Sequence, residues 1–257
     1  MDQTVDLVYG EQGEGVPLVL LHGYPLDHRI WLPVFPFLRK DVHIIAPDLR
    51  GHGKSPIPNG MYSMELLVED VVCLLDKLRI EKAIVAGHSM GGYVTFEFWH
   101  IHPERIAGIA LVATRANGDS EERRRDRLQT AEEVMKAGTT RVVDSMLKKL
   151  TKKTGLYPEL REIMEGISPQ GVAGILRGIA DRANATPWLS QIKVPVLVIA
   201  GSEDQIVPVE ESIEMAEKLP DGKLEVIQDA GHLPMMEDPR KVADCLNDLI
   251  FRVSEST

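Results

Sequence analysis

Cysteine is scarce. Cys73 and Cys245 are the two in 257 residues, and each sits among apolar neighbours in a helical-looking segment. No disulfide framework is possible on that basis, and both are expected to be buried free thiols. Long hydrophobic runs are missing as well: nothing approaches the roughly 18 apolar residues of a membrane span. The amino terminus, MDQTVDLVYG, has neither the basic region nor the apolar core of an export signal. These absences predict a soluble, cytoplasmic protein with no membrane partner. Positive charge is in deficit, with 29 Lys and Arg against 39 Asp and Glu and a net charge of -10. A nucleic acid would be repelled. The one basic cluster, Arg123, Arg124, Arg125 and Arg127, is interleaved with Glu121, Glu122 and Asp126, and is expected to be a solvated helix face. There is no internal repeat and no low-complexity tract.

What the chain does have is 44% hydrophobic residues, enough for one large core. Short, near-continuous apolar runs recur at Val16, Val42, Ala83, Ile109, Pro195 and Lys223. Such runs suit strands covered on both faces, and helical patterns separate them, at Met64 to Arg79, Tyr93 to His102 and Val242 to Val253. The fold class is therefore α/β with a mostly parallel sheet. Between Thr114 and Ile192 the rhythm stops and only helical patterns follow, from Glu121, Thr139, Pro158 and Gln170. Residues 117–190 are expected to form a helical cap over the carboxyl ends of the strands, leaving 1–116 and 191–257 as the core domain.

One run ends in Gly87-His88-Ser89-Met90-Gly91. In G-x-S-x-G the chain turns sharply from strand to helix and exposes the serine oxygen, with glycines where larger residues would clash. A plain helix N-cap would also favour serine. A phosphate-binding glycine loop fails its template, because Ser89 stands where a glycine is needed and no G-K-[ST] follows. Nucleophilic chemistry requires more than the pentapeptide. A serine hydroxyl needs a histidine to take its proton, and that histidine needs a carboxylate, in the chain order Ser, acid, His.

Of eight histidines, five precede the serine or adjoin it and two, His100 and His102, lie on the following helix. His232, in DAGHLP after a strand-like run, is the candidate base. Asp204 follows the run PVLVIAG at a strand end and is the candidate acid, with Glu203 and Asp229 as rivals. Backbone donors for an oxyanion are expected at Met90, which opens the helix after the serine, and at Tyr24 in LLHGYP, since Pro25 has no N–H. His22 is expected to brace that loop. Leu26, Leu233 and Met235 are apolar candidates for contact with substrate, against the ordinary alternative that they are core.

Taken in order, LLHGYP, PDLRGHGKS, GHSMGG, GSEDQIVP and DAGHLPMMEDP resemble the α/β-hydrolase superfamily over nearly the whole chain, and most of all small capped bacterial carboxylesterases and enol-lactonase-like members. That resemblance implies a mostly parallel eight-stranded sheet with one antiparallel strand, a helical cap after strand 6, and an early edge strand at residues 4–9. It implies Ser89, Asp204 and His232 as the triad, a small-molecule ester of short to medium acyl chain as substrate, and no metal or organic cofactor. Serine rather than aspartate at position 89 argues against dehalogenases and epoxide hydrolases. Lactonases and cofactor-free perhydrolases or haloperoxidases share the triad, and a ligand receptor on the same fold is the alternative of another class.

Overall fold

The computed structural model describes residues 4–255. In chain order the sheet and helices are β1 (Tyr9–Gln12), β2 (Val16–Leu21), β3 (Val42–Pro47), α1 (Met64–Lys77), β4 (Ala83–His88), α2 (Met90–Ile101) and β5 (Ile106–Val112). There follow α3 (Glu121–Ala137), α4 (Thr140–Leu150), α5 (Tyr157–Glu165), α6 (Pro169–Asp181), β6 (Val196–Gly201), α7 (Val209–Glu217), β7 (Gly222–Ile227), α8 (Pro234–Glu237) and α9 (Pro239–Glu255). A 3₁₀ segment, His28–Phe37, links β2 to β3.

The sheet has seven strands in the order β1-β3-β2-β4-β5-β6-β7, and only β1 runs antiparallel. Every residue of β4 and of β6 is buried, as expected of strands covered on both faces. Side chains alternate between two cores with the period of a strand. Leu18, Leu20, Ile84 and Ala86 face the His28–Phe37 segment and α9, whereas Val19, Leu21, Ala83 and Val85 face α1 and α2. The chain runs outward from β2 to β3 and returns to the other side of β2 as β4, so the order reverses between β2 and β4. Ligands bind in the crevice above the carboxyl ends of strands at such a reversal. Here those ends carry His22-Gly23-Tyr24 and Ser89.

Two expectations need correction. The sheet has seven strands, and the helical insertion follows the fifth rather than the sixth. The missing strand is the one expected at residues 4–9: strand pairing begins only at Tyr9, because the backbone before it is spent elsewhere. The Val5 amide donates to Asp70 Oδ1 (2.8 Å), the Val8 amide to Ser55 Oγ (2.8 Å), and the Val8 carbonyl accepts from the Asp48 amide (2.8 Å). Cys245 is buried but Cys73 only half so, since it lies beside rather than on the buried stripe of α1.

Helix α6 seats the insertion on the core. Tyr62 donates its amide to the Gly174 carbonyl (3.0 Å), and a Cβ at Gly178 would stand 1.7 Å from the Tyr62 carbonyl oxygen, so no side chain fits there. The loop it sits on is pinned from below. Arg50 and Asp70 form a buried ion pair at 2.6 Å, and Asp48 accepts from His28 Nδ1 (2.6 Å), the His28 amide (3.0 Å) and the Lys54 amide (2.9 Å). Burial alone would push the Asp48 carboxyl up, but the His28 and Lys54 bonds outweigh it and hold it at about 2. A carboxyl whose folded value is depressed contributes stability above its unfolded value and loses it as pH falls through the folded one. The stability difference between wild type and Asp48→Asn, measured by urea unfolding, is therefore expected to shrink as pH falls from 3.8 toward about 2.

Candidate active site

Ser89 sits between β4 and α2 with φ 51° and ψ -111°, a left-handed conformation that non-glycine residues avoid. Its side chain makes no helix-capping hydrogen bond, which removes the N-cap explanation for the serine. Its backbone is fixed instead: the Ser89 amide donates to the Val112 carbonyl (2.9 Å), and its own carbonyl accepts from the Gly92 amide (2.9 Å) and Thr114 Oγ1 (2.7 Å). The turn is tight enough that a Cβ at Gly87 would lie 2.3 Å from the Gly91 carbonyl oxygen, and one at Gly91 2.5 Å from the Leu21 carbonyl oxygen. The end of β2 is thereby brought against the elbow, and Gly23 with it: a Cβ there would lie 3.0 Å from Ser89 Cβ. Met90 opens α2, so its amide is among the four that have no partner within the helix. Tyr24 follows Gly23 through the same loop, ahead of a cis bond to Pro25.

His232 and Asp204 meet as the chain order requires. His232 Nδ1 donates to Asp204 Oδ2 at 2.7 Å, and both side chains are 1% exposed. Asp204 Oδ1 is held by the amides of Ile206 (2.7 Å) and Val207 (3.0 Å), so the carboxylate cannot swing away. With Nδ1 carrying the proton, His232 keeps a lone pair on Nε2. The rival acids are engaged elsewhere: Glu203 pairs with Lys152 at the surface (3.0 Å), and Asp229 is an exposed turn residue with φ 56°. His22 braces the loop, donating from Nδ1 to the Gly23 carbonyl (3.0 Å) and accepting the Leu49 amide on Nε2 (2.9 Å). His100 stacks on Trp188 and His102 pairs with Glu69, away from the elbow.

His88 precedes the serine and so falls outside the Ser, acid, His order expected of the base. Its Nε2 donates to the His232 carbonyl (2.8 Å), linking the residue beside Ser89 to the base itself. Burial, with the neighbouring His232 adding to it, drives the His88 imidazole well below its ordinary range and keeps it neutral. The other backbone bond of His232 runs to the insertion, from its amide to the Leu150 carbonyl (3.0 Å).

A cavity of about 570 Å³ opens under the insertion, lined by Tyr24, Tyr93, Arg115 and Ile206 from the core and by side chains of α3, α4 and α6. Arg123, Arg124 and Arg125 are exposed, as expected of a solvated helix face, and Arg123 and Arg127 also border the cavity. Leu26, Leu233 and Met235 do not line it. They are 1%, 0% and 0% exposed, packed in the core with the His28–Phe37 segment and α9, as apolar residues near strand ends ordinarily are. Arg115 was missed. The signal for it is a cation three residues beyond the end of β5, in LVATR.

Residues 16–239 match the family model described as alpha/beta hydrolase fold. The chain belongs to that family. It is 35% identical to a thermophilic esterase from Thermogutta terrifontis, whose malate-bound structure superposes with a TM-score of 0.94 over 97% of this chain and 94% of that one. It is 30% identical to 3-oxoadipate enol-lactonase 2 of Acinetobacter baylyi, over 93% of this hydrolase-fold chain and 90% of the relative. It is also 32% identical to the dihydrolipoyllysine-residue acetyltransferase component of the acetoin cleaving system of Pseudomonas putida, of whose length it spans 61%. No helix among the described residues is long and apolar enough to cross a membrane.

Because a side chain at Gly91 would meet backbone rather than a movable side chain, Gly91→Ala is expected to destabilise the fold by about 1–3 kcal/mol, as overpacking does. Thermal or urea unfolding of the purified variant measures it.

Proposed function

We propose that this member of the family is a serine hydrolase that cleaves carboxylic esters of short to medium acyl chain through an acyl-enzyme on Ser89. The observation that carries this reading is the buried 2.7 Å bond from His232 Nδ1 to Asp204 Oδ2, on a histidine whose carbonyl is tied to the residue beside Ser89. The esterase and enol-lactonase relatives support it.

Ser89 Oγ attacks the ester carbonyl carbon as its proton passes to His232 Nε2. Asp204 stabilises the imidazolium and holds its tautomer. The carbonyl oxygen, now negative, is received by the Met90 and Tyr24 amides; preorganised donors of this kind contribute several kcal/mol each, on the order of 10²–10³ in rate. The C–O bond to the alcohol then breaks, and His232 Nε2 returns the proton to the departing oxygen. A water molecule, deprotonated by His232, attacks the acyl-enzyme and releases the acid and free Ser89. His88 matters here because it stays uncharged, so no like charge stands beside His232 when the imidazolium forms. Helices α3 to α6 act as the cap, and α3, α4 and α6 line the cavity and so limit the length of chain it admits.

Ser89→Ala is expected to lower turnover of p-nitrophenyl butyrate by about 10⁴–10⁶-fold with the fold intact by circular dichroism. Retention of the wild-type rate would remove Ser89 from the mechanism. Many turnovers per molecule distinguish the enzyme from a ligand receptor, for which a single slow turnover is expected. Across p-nitrophenyl esters from acetate to palmitate, kcat/KM should peak at a short or medium acyl chain; a maximum at palmitate contradicts an enclosed cavity.

A further inference from the structure

The chain carries a net charge of -10, yet its large cavity is lined by six cations, Arg115, Arg123, Arg127, Lys136, Arg141 and Lys149, against two acids, Asp126 and Glu133. Arg127 is neutralised by Asp119, and Arg141 lies 3.5 Å from Glu133 on a side chain that is 90% exposed. Arg123, Lys136 and Lys149 make no ion pair among the described residues, and all three are exposed around the mouth. A cluster of one sign at a concave opening raises the local concentration of ions of the other sign.

The inner end of the cavity supplies a second, independent observation. Arg115 is 5% exposed and ion-paired with Glu211 (3.0 Å), yet its Nη1 makes no hydrogen bond. Its Nη2 donates to the Ile206 carbonyl, which places the guanidinium beside the turn that holds Asp204. Thr114, the residue before it, donates to the Ser89 carbonyl. Burial pushes the Arg115 guanidinium below its ordinary range, and the nearby Arg123 and Arg182 add to this against Tyr93 and Glu211. A buried donor left unmade is costly, and a carboxylate brought to it recovers that cost.

We propose that the preferred substrates are open-chain esters that also bear a free carboxylate, such as half-esters of dicarboxylic acids, drawn in by Arg123, Lys136 and Lys149 and bound through Arg115. The proposal rests on the serine-hydrolase reading for the chemistry but not for the binding.

Monoethyl succinate and ethyl butyrate test it, because they share ester and chain length and differ in a terminal carboxylate or methyl. With acid release followed by pH-stat at low ionic strength, kcat/KM for the half-ester is expected to exceed that for the neutral ester by about tenfold or more, and the ratio should fall as salt is added. Arg123→Gln and Lys149→Gln, both at the exposed mouth, should each lower the ratio by roughly twofold to fivefold. Arg115→Gln should lower it by about tenfold, to near one. In parallel, calorimetry on Ser89→Ala should show monoethyl succinate binding more tightly than ethyl butyrate. Equal kcat/KM for the two esters, with a ratio unmoved by salt and by the mouth variants, overturns the charge preference and leaves the serine hydrolase standing. Selective binding of the half-ester to Ser89→Ala, with neither ester hydrolysed by wild type, sustains the anion site and overturns the hydrolase. Equal binding of both esters to Ser89→Ala counts against the anion site whatever the rates.

Discussion

Ser89 is held at φ 51° in a chain that would relax if the surroundings allowed it, and such a conformation costs on the order of 1–3 kcal/mol. Three hydrogen bonds, from β5, the loop after it and α2, keep it there, and the near-contacts at Gly87 and Gly91 allow no other path. Much else follows from that turn. Since Gly91 rests on the last carbonyl of β2, the loop carrying Gly23 and Tyr24 has to lie beside the serine, and His22 is used on both ring nitrogens to hold it. Since β4 is flanked by β2 and β5, its exit lies at the reversal of strand order, where the sheet itself leaves an opening.

The electrostatics are built on contrast between two adjacent imidazoles whose centroids are 4.9 Å apart. His232 faces a carboxylate and is equipped to take a proton. His88, buried and with one nitrogen donating to a carbonyl, is kept from doing so. The two rings are equally buried, so the partner each one faces is what separates the candidate base from its neutral neighbour.

The parts legible in the sequence are those whose geometry is local. Strands buried on both faces announce themselves as apolar runs, α1, α2 and α9 by their spacing, and the turns that carry Ser89, Asp204 and His232 because each comes soon after a strand end. The edge strand expected at residues 4–9 does not form before Tyr9, because backbone bonds there go to the side chains of Asp70 and Ser55, far along the chain. The short α7, with its acidic first turn after the Asp204 loop, passed without a distinct pattern. Cavity lining was the least legible. Whether Arg123 or Leu233 meets the cavity depends on how α3 and α4 lie across the core, and on a 3₁₀ segment and α9 closing over Leu26, Leu233 and Met235. No periodicity encodes the angle between two helices.

The bond from the His232 amide to the Leu150 carbonyl has a further consequence, for how this chain can diverge. Insertions between strands are the stretches most tolerant of replacement. Here the end of α4 supplies an acceptor to the backbone of the candidate base, so the insertion carries a structural obligation to the core. A different set of helices could be grafted between β5 and β6 only if it returned a carbonyl to that spot. Freedom in this segment is left to the side chains that face the cavity, while its path at Leu150 is tied to the candidate base.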